Sequence, residues 1–209
     1  MSPAHVLEPT YQAIRQRLMA GQWSPGYHLD TARLADDLGV SKSPVRDSLN
    51  HLAGERLIAF EPGVGFHVPR LDETQLKDLL DLNLHLLLIA LQSGLLIEPA
   101  TIAVDDAPDS ASRRFLRLAR AAGNNEIAEA VASISSRLSA VRRLEAKVLP
   151  DPGVMLEEMD RAFATRADIA VIGEILTRYH DERKRHAATF VRLLAMSATA
   201  EADSRANLD

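Results

Sequence analysis

The chain has 209 residues, of which 46% are hydrophobic and 25% charged, with no cysteine and a formal net charge of −5. That length is enough for one or two domains with buried cores, and the balance excludes a collagen-like or wholly disordered chain. Without cysteine there is no disulfide framework and no thiolate chemistry, and an acidic total excludes a broad basic field for nucleic acid.

The charge is unevenly spread. Residues 1–70 hold seven Lys/Arg against seven Asp/Glu, and the remainder hold seventeen against twenty-two, so any DNA contact must come from a few placed cations. Nothing in "MSPAHVLEPTYQ" resembles a secretory leader, and the cytoplasm is the expected compartment. Two domains are expected, 1–70 and 71–209.

In chain order, Tyr11, Ile14 and Leu18 recur at helical spacing and predict a first helix from Pro9 to Gly21. "SPG" at 24–26 marks a turn. Asp30 or Thr31 can cap a short second helix carrying Leu34, Ala35 and Leu38, which Gly39 ends. The loop "GVS" leads to a third helix, capped by Ser41, with Pro44 in its first turn and a buried stripe of Val45, Leu49 and Leu52. "LIAFE" at 57–61 and "GFHVP" at 65–69, separated by Pro62, Gly63 and Val64, predict a hairpin. Three helices followed by a two-stranded ribbon is the order of a winged helix-turn-helix.

The remainder reads as helical, so the fold class is mainly α: an N-terminal winged helix-turn-helix and a C-terminal all-α bundle. Asp72 can cap a helix running to Gly94. Its Leu-rich run, 79–97, is interrupted by Asp81, Asn83, His85 and Gln92, which predicts a buried helix and no membrane span. Residues 97–109 form a connection broken by Pro99 and Pro108. Further helices are expected at 110–122, 125–148, 154–166 and 168–196, with a frayed tail from about 197 that has one large apolar residue, Leu208.

The head of the third helix is where chemistry concentrates. Residues that open a helix after a tight turn can enter the major groove and touch base edges. Lys42, Ser43 and Arg46 occupy that end, and Arg46 can bond guanine O6 and N7 with a bidentate fork. Arg33, on the second helix, is placed to clamp the backbone, and Gly63 and Gly65 permit a tight wing tip. Taken alone, a pair such as Lys42 and Arg46 is more commonly a cationic strip on a solvated face; the surrounding order of elements favours DNA.

At these residues the chain resembles the GntR family of bacterial transcription regulators, through "SPGYHL", "LADDLGVSKSPVRDSL" and "GERLIAFEPGVGFHV". Lys42 stands where the family usually has Arg, and Ser48 where it has Ala. The resemblance implies DNA contacts from Arg33, Ser41, Lys42, Ser43, Arg46, Gly63 and Gly65. It also implies a repressor, acting as a homodimer on palindromic double-stranded operator DNA and released by a small-molecule effector.

The helical remainder looks like the FCD-type effector domain of one branch, through "RRFLRLARAAGNNEIAEAV". Such domains commonly hold a divalent metal through an Asp and three His. Here the resemblance places Ser112 and Leu116 at the Asp and first His, Met159 at the next His, and His180 at the last. No metal or other cofactor is therefore expected, and Leu116, Met159 and His180 are the candidate effector residues. "RKRH" at 183–186 reads as a solvated face. No Ser/His/Asp set, P-loop or dinucleotide fingerprint is present, so no enzyme is expected. The rival readings are an effector-independent DNA-binding regulator and a winged-helix protein-interaction module. The latter is discriminated by whether Lys42 and Arg46 project free of intramolecular carboxylates.

Overall fold

A computed structural model of the chain describes residues 4–94, 98–105 and 107–206, with side chains described from Val6 to Ser197 within those ranges. Backbone contacts divide it into two compact units: residues up to Leu71 together with those from Leu193 onward, and Asp72–Arg192. The segment from Leu193 was expected in the second domain and clusters instead with the first.

In the first unit, α1 (Ala4–Met19) begins five residues before the expected start and carries Pro9 inside it. Helix α2 (Thr31–Leu38) is capped by Asp30, whose carboxylate accepts from the backbone N–H groups of Ala32 and Arg33, and it ends at Gly39 in the left-handed region. Helix α3 (Lys42–Gly54) follows three residues later and packs on both α1 and α2. Ile14, Val45, Leu49 and Leu52 are fully enclosed between these helices, each contributing ~1.5–3 kcal/mol by burial. Strands β1 (Ala59–Glu61) and β2 (Gly65–His67) pair antiparallel, Phe60 opposite Phe66. The extended segment before α2 braces β2: Leu29 N–H donates to the Phe66 carbonyl and Val68 N–H to that of Tyr27.

In the second unit, α4 (Glu73–Gln92) opens with a reciprocal capping box between Asp72 and Gln75. It packs against α10 (Ile169–Arg185), α5 (Ser110–Ala121) and α6 (Asn125–Arg137), while α9 (Val154–Ala164) lies on α10. Their apolar faces form one core that includes Leu87, Phe115, Leu118, Val131 and Leu176. No helix among the described residues is long and apolar enough to cross a membrane. The expected run to residue 97 ends in residues 95–97, which lie outside the described ones, as does residue 106 of the connection.

Two expected helices are broken. The 125–148 helix resolves into α6, α7 (Ser139–Arg142) and α8 (Glu145–Val148), interrupted after a stretch rich in serine, a weak helix former. The 168–196 helix divides at His186 into α10 and α11 (Ala187–Ala206). Helix α11 continues past 197, where fraying was expected, because the segment is rich in alanine, the strongest helix former; Leu208 lies outside the described residues.

Candidate nucleic-acid interface

The turn Gly39–Ser41 sets the head of α3 at the surface. Ser41 occupies the N-cap position in extended backbone but its hydroxyl makes no capping bond, so the expected cap is made by geometry alone and the hydroxyl is left outward. Lys42, Ser43 and Arg46 are all exposed, on the face opposite the buried Val45 and Leu49. Among the described residues none of Arg33, Lys42 and Arg46 makes an ion pair.

Lys42, Ser43 and Arg46 share one cleft of about 620 Å³ with Gly65 and Phe60 of the wing and with His28, Asp30 and Thr31. The one carboxylate on its wall, Asp30, is already engaged as the α2 cap. The backbone N–H groups of Arg33 and Ala32 hold its pKa below the usual carboxylate value, with smaller help from His28 and Lys42. Gly63 is exposed at the wing tip. Gly65 has φ +101°, and a Cβ there would lie 2.9 Å from His28 Nε2, so both conformation and space require glycine. That ring donates from Nε2 to the Val64 carbonyl at 2.9 Å, fastening the wing loop to the segment ahead of α2. Arg33 is exposed on a neighbouring cleft of about 180 Å³ with Arg17, Trp23 and Tyr27. The His28 strut and the Phe60 wall were not anticipated from sequence. Only the tertiary closeness of residues some thirty apart reveals them.

In the second unit Leu116, Met159 and His180 are all buried, but no described cleft is lined by all three. Met159 lines a cleft of about 210 Å³ with Glu98, Pro99, Arg114, Arg117 and Phe163. His180 lies in a polar seam that the sequence did not disclose. Its Nδ1 faces the Leu176 carbonyl at 2.7 Å and must donate, so Nε2 is the acceptor of the Asn83 amide at 2.9 Å. Burial pushes its pKa down to about 3, and Arg142, Arg183 and Lys184 add to that, so the ring is neutral. Asn83 Oδ1 is buried with no partner.

Ser112 Oγ donates to Asp109 Oδ2 at 2.7 Å and accepts from Arg142, whose guanidinium lies over the Phe115 ring. Arg183 forms a bidentate bridge to Glu145, both bonds 2.8 Å, and lies over the Tyr179 ring. This overturns the reading of "RKRH" as a solvated face, for Arg183 is 2% exposed. The three residues after it do meet water: Lys184 bridges Asp81 and Asp181, while Arg185 and His186 bridge Glu182. The donor set does not fit a divalent ion. Both His180 nitrogens are occupied, Leu116 has no donor, Met159 offers a thioether, and a buried guanidinium stands on Ser112. Among the described residues no group of three His, Cys, Asp or Glu could hold a metal.

Residues 8–68 match the family model described as bacterial regulatory proteins, gntR family. Over 68 residues the chain is 38% identical to an uncharacterized HTH-type transcriptional regulator in an unstable DNA locus of Streptomyces ambofaciens, covering 32% of this chain and 29% of that protein. Over 77 residues it is 32% identical to the HTH-type transcriptional regulator McbR of Escherichia coli K12, covering 37% and 35%. The chain thus spans about a third of the length of the curated relatives it matches. Among solved structures, a putative transcriptional regulator GntR from Rhodococcus sp. RHA1 superposes with a TM-score of 0.73 at 17% identity, over 87% of this chain and 96% of that one. E. coli McbR/YncC does so with a TM-score of 0.68 at 16% identity, over 88% and 97%. Over residues 8–68 the first unit is thus similar to the gntR family of bacterial regulatory proteins, and the chain as a whole has a mainly helical fold like that of these two solved proteins.

Proposed function

We propose that the chain is a sequence-specific transcription regulator that reads a palindromic operator as a homodimer in the cytoplasm. The observation that carries this is the head of α3: Lys42, Ser43 and Arg46 exposed, without carboxylate partners, and gathered with the wing in one cleft. Arg46 forks onto a guanine, contributing ~1–3 kcal/mol per half-site, and Lys42, Ser41 and Ser43 add single base or phosphate contacts. Arg33 and the backbone at Gly63 and Gly65 hold the duplex. That no ion pair among the described residues occupies Lys42 or Arg46 argues against the wing domain being a protein-docking module. Selection of bound fragments from a random DNA pool tests the reading; enrichment of an inverted repeat is expected, and a pool that stays random would overturn it.

Dimerisation is assigned to the second unit. One face of α4 packs on α10, but Leu82 and Ile89 remain 50% and 48% exposed, and with the half-buried Leu86 they form an apolar stripe at helical spacing. A second copy of this chain covers it, and reading both half-sites adds their binding energies. Sedimentation of the chain gives a dimer on this reading, and Leu82→Glu with Ile89→Glu gives a monomer.

The second unit further works as a repressor's effector domain of FCD type without a divalent ion, since its seam supplies an internal guanidinium where the resemblance would put a metal. Retention of about one zinc, nickel or manganese per chain, lost on His180→Ala, would overturn that. A second reading, an effector-independent regulator, is favoured by the closed pairing of Arg142 with Asp109 and Arg183 with Glu145. Screening metabolites for release of the selected operator separates the two.

A further inference from the structure

We propose that Phe60 is a specificity residue that reads the 5-methyl group of a thymine in each operator half-site; this rests on the cleft being the DNA interface. Phe60 is 51% exposed on β1, and it lines the same cleft as Lys42, Ser43 and Arg46. The other large apolar side chains on that wall, Leu29 and Phe66, are 1% and 6% exposed, so Phe60 is the one that stands half in water beside the cations, a contact waiting for an apolar partner. Beyond its backbone at Gly63 and Gly65, the wing has no cationic side chain with which to attract a duplex. From Ala59 to His67 it contains neither Lys nor Arg, and its one carboxylate, Glu61, lies 3.4 Å from the His67 ring. Charge cannot be what this element offers a duplex.

The apolar group that a B-form duplex presents beside guanine O6 and N7 in the major groove is the thymine methyl. The phenyl ring is held ready for it. It packs on Phe66 at 4.9 Å between centroids with a 51° tilt, and Phe66 is 6% exposed in the core of the unit. Strand β2 is fixed in turn by the Tyr27 and Leu29 backbone bonds and by His28 on the Val64 carbonyl. Little side-chain freedom remains to be lost on contact.

The test uses the full chain and its selected operator, with each thymine replaced singly by deoxyuridine, which removes the methyl and leaves every hydrogen bond. One position per half-site should weaken wild-type binding about fourfold, the worth of one buried methyl. Phe60→Ser should bind the thymine and deoxyuridine duplexes at that position equally, while Phe60→Leu, which keeps an apolar contact and the packing on Phe66, retains most of the preference. The proposal is overturned if the wild type is indifferent to every methyl, or if Phe60→Ser discriminates as the wild type does. It is equally overturned if Phe60→Ser weakens operator and random DNA alike, the sign of a wedge or a general backbone contact. Failure of this kind with specific binding intact leaves the operator-reading assignment standing; loss of all specific binding by the wild type removes that assignment as well.

Discussion

In the first unit the cations at the head of α3 stand in water with no acid near enough to pair, whereas in the second unit Arg142 and Arg183 are sealed in the core, each bridged to a carboxylate. Both pairs sit on helices and look alike as sequence. The difference is what each arrangement can do. An unpaired surface guanidinium costs the fold nothing and keeps all its donors for a partner, while a buried one is tolerable only because its partner is already present.

The largest expected effect comes from unpairing the core. Arg183→Met leaves Glu145 buried without its counter-charge and should cost ~3–5 kcal/mol, a fall in the thermal midpoint of roughly 10 °C or more. Glu145→Leu added to it should restore most of the loss, because replacing both partners by apolar groups removes the uncompensated charge. A midpoint unmoved by the single change would show that the two arginine environments do not differ as described.

The comparison also marks what was legible in the sequence. In the first unit the order of elements and the bounds of α2 and the start of α3 were readable, because their signals are local, while α1 starts five residues earlier than its apolar spacing suggested. Asp30 caps α2 through the next amides, Gly39 ends it in the left-handed region, and Val45, Leu49 and Leu52 repeat at helical spacing. In the second unit Asp72, Asp109, Asn124 and Asp168 announce helix starts in the same way. What could not be read was pairing at a distance. Arg183 meets Glu145 across 38 residues and Asn83 meets His180 across 97, and no period or cap encodes either. A cluster such as "RKRH" therefore looks solvated until the fold buries its first member. The helix breaks near Leu138 and His186 escaped for a related reason, since neither is marked by proline or glycine.

A smaller effect follows from His180, whose pKa burial lowers to about 3 against ~6.5 for an unfolded histidine. A folded value below the unfolded one means that its contribution is complete above ~6.5 and is lost as pH falls from there toward about 3, by up to ~1.4 kcal/mol per pH unit. Unfolding free energies between pH 7 and 4 should therefore decline more steeply for the wild type than for His180→Gln. Parallel declines would place His180 in contact with water.

The smallest effect is expected at Arg33, a phosphate contact on the exposed side of the comparison. Arg33→Ala should weaken operator and random DNA alike and lower the salt slope of binding by ~1 per protomer, with the unfolding midpoint unmoved. A loss confined to the operator would move Arg33 from the backbone to the bases.

The most direct measurement is the affinity of Arg46→Ala for the operator selected by the wild type, taken beside random DNA and beside its thermal midpoint. The side chain is exposed and unpaired, so the midpoint should stay within the ~0.5 kcal/mol typical of surface changes. Specific affinity should drop by ~1–3 kcal/mol at each half-site toward the level of random DNA. Wild-type affinity for the operator in a folded Arg46→Ala protein would contradict the assignment of α3 as the reading helix.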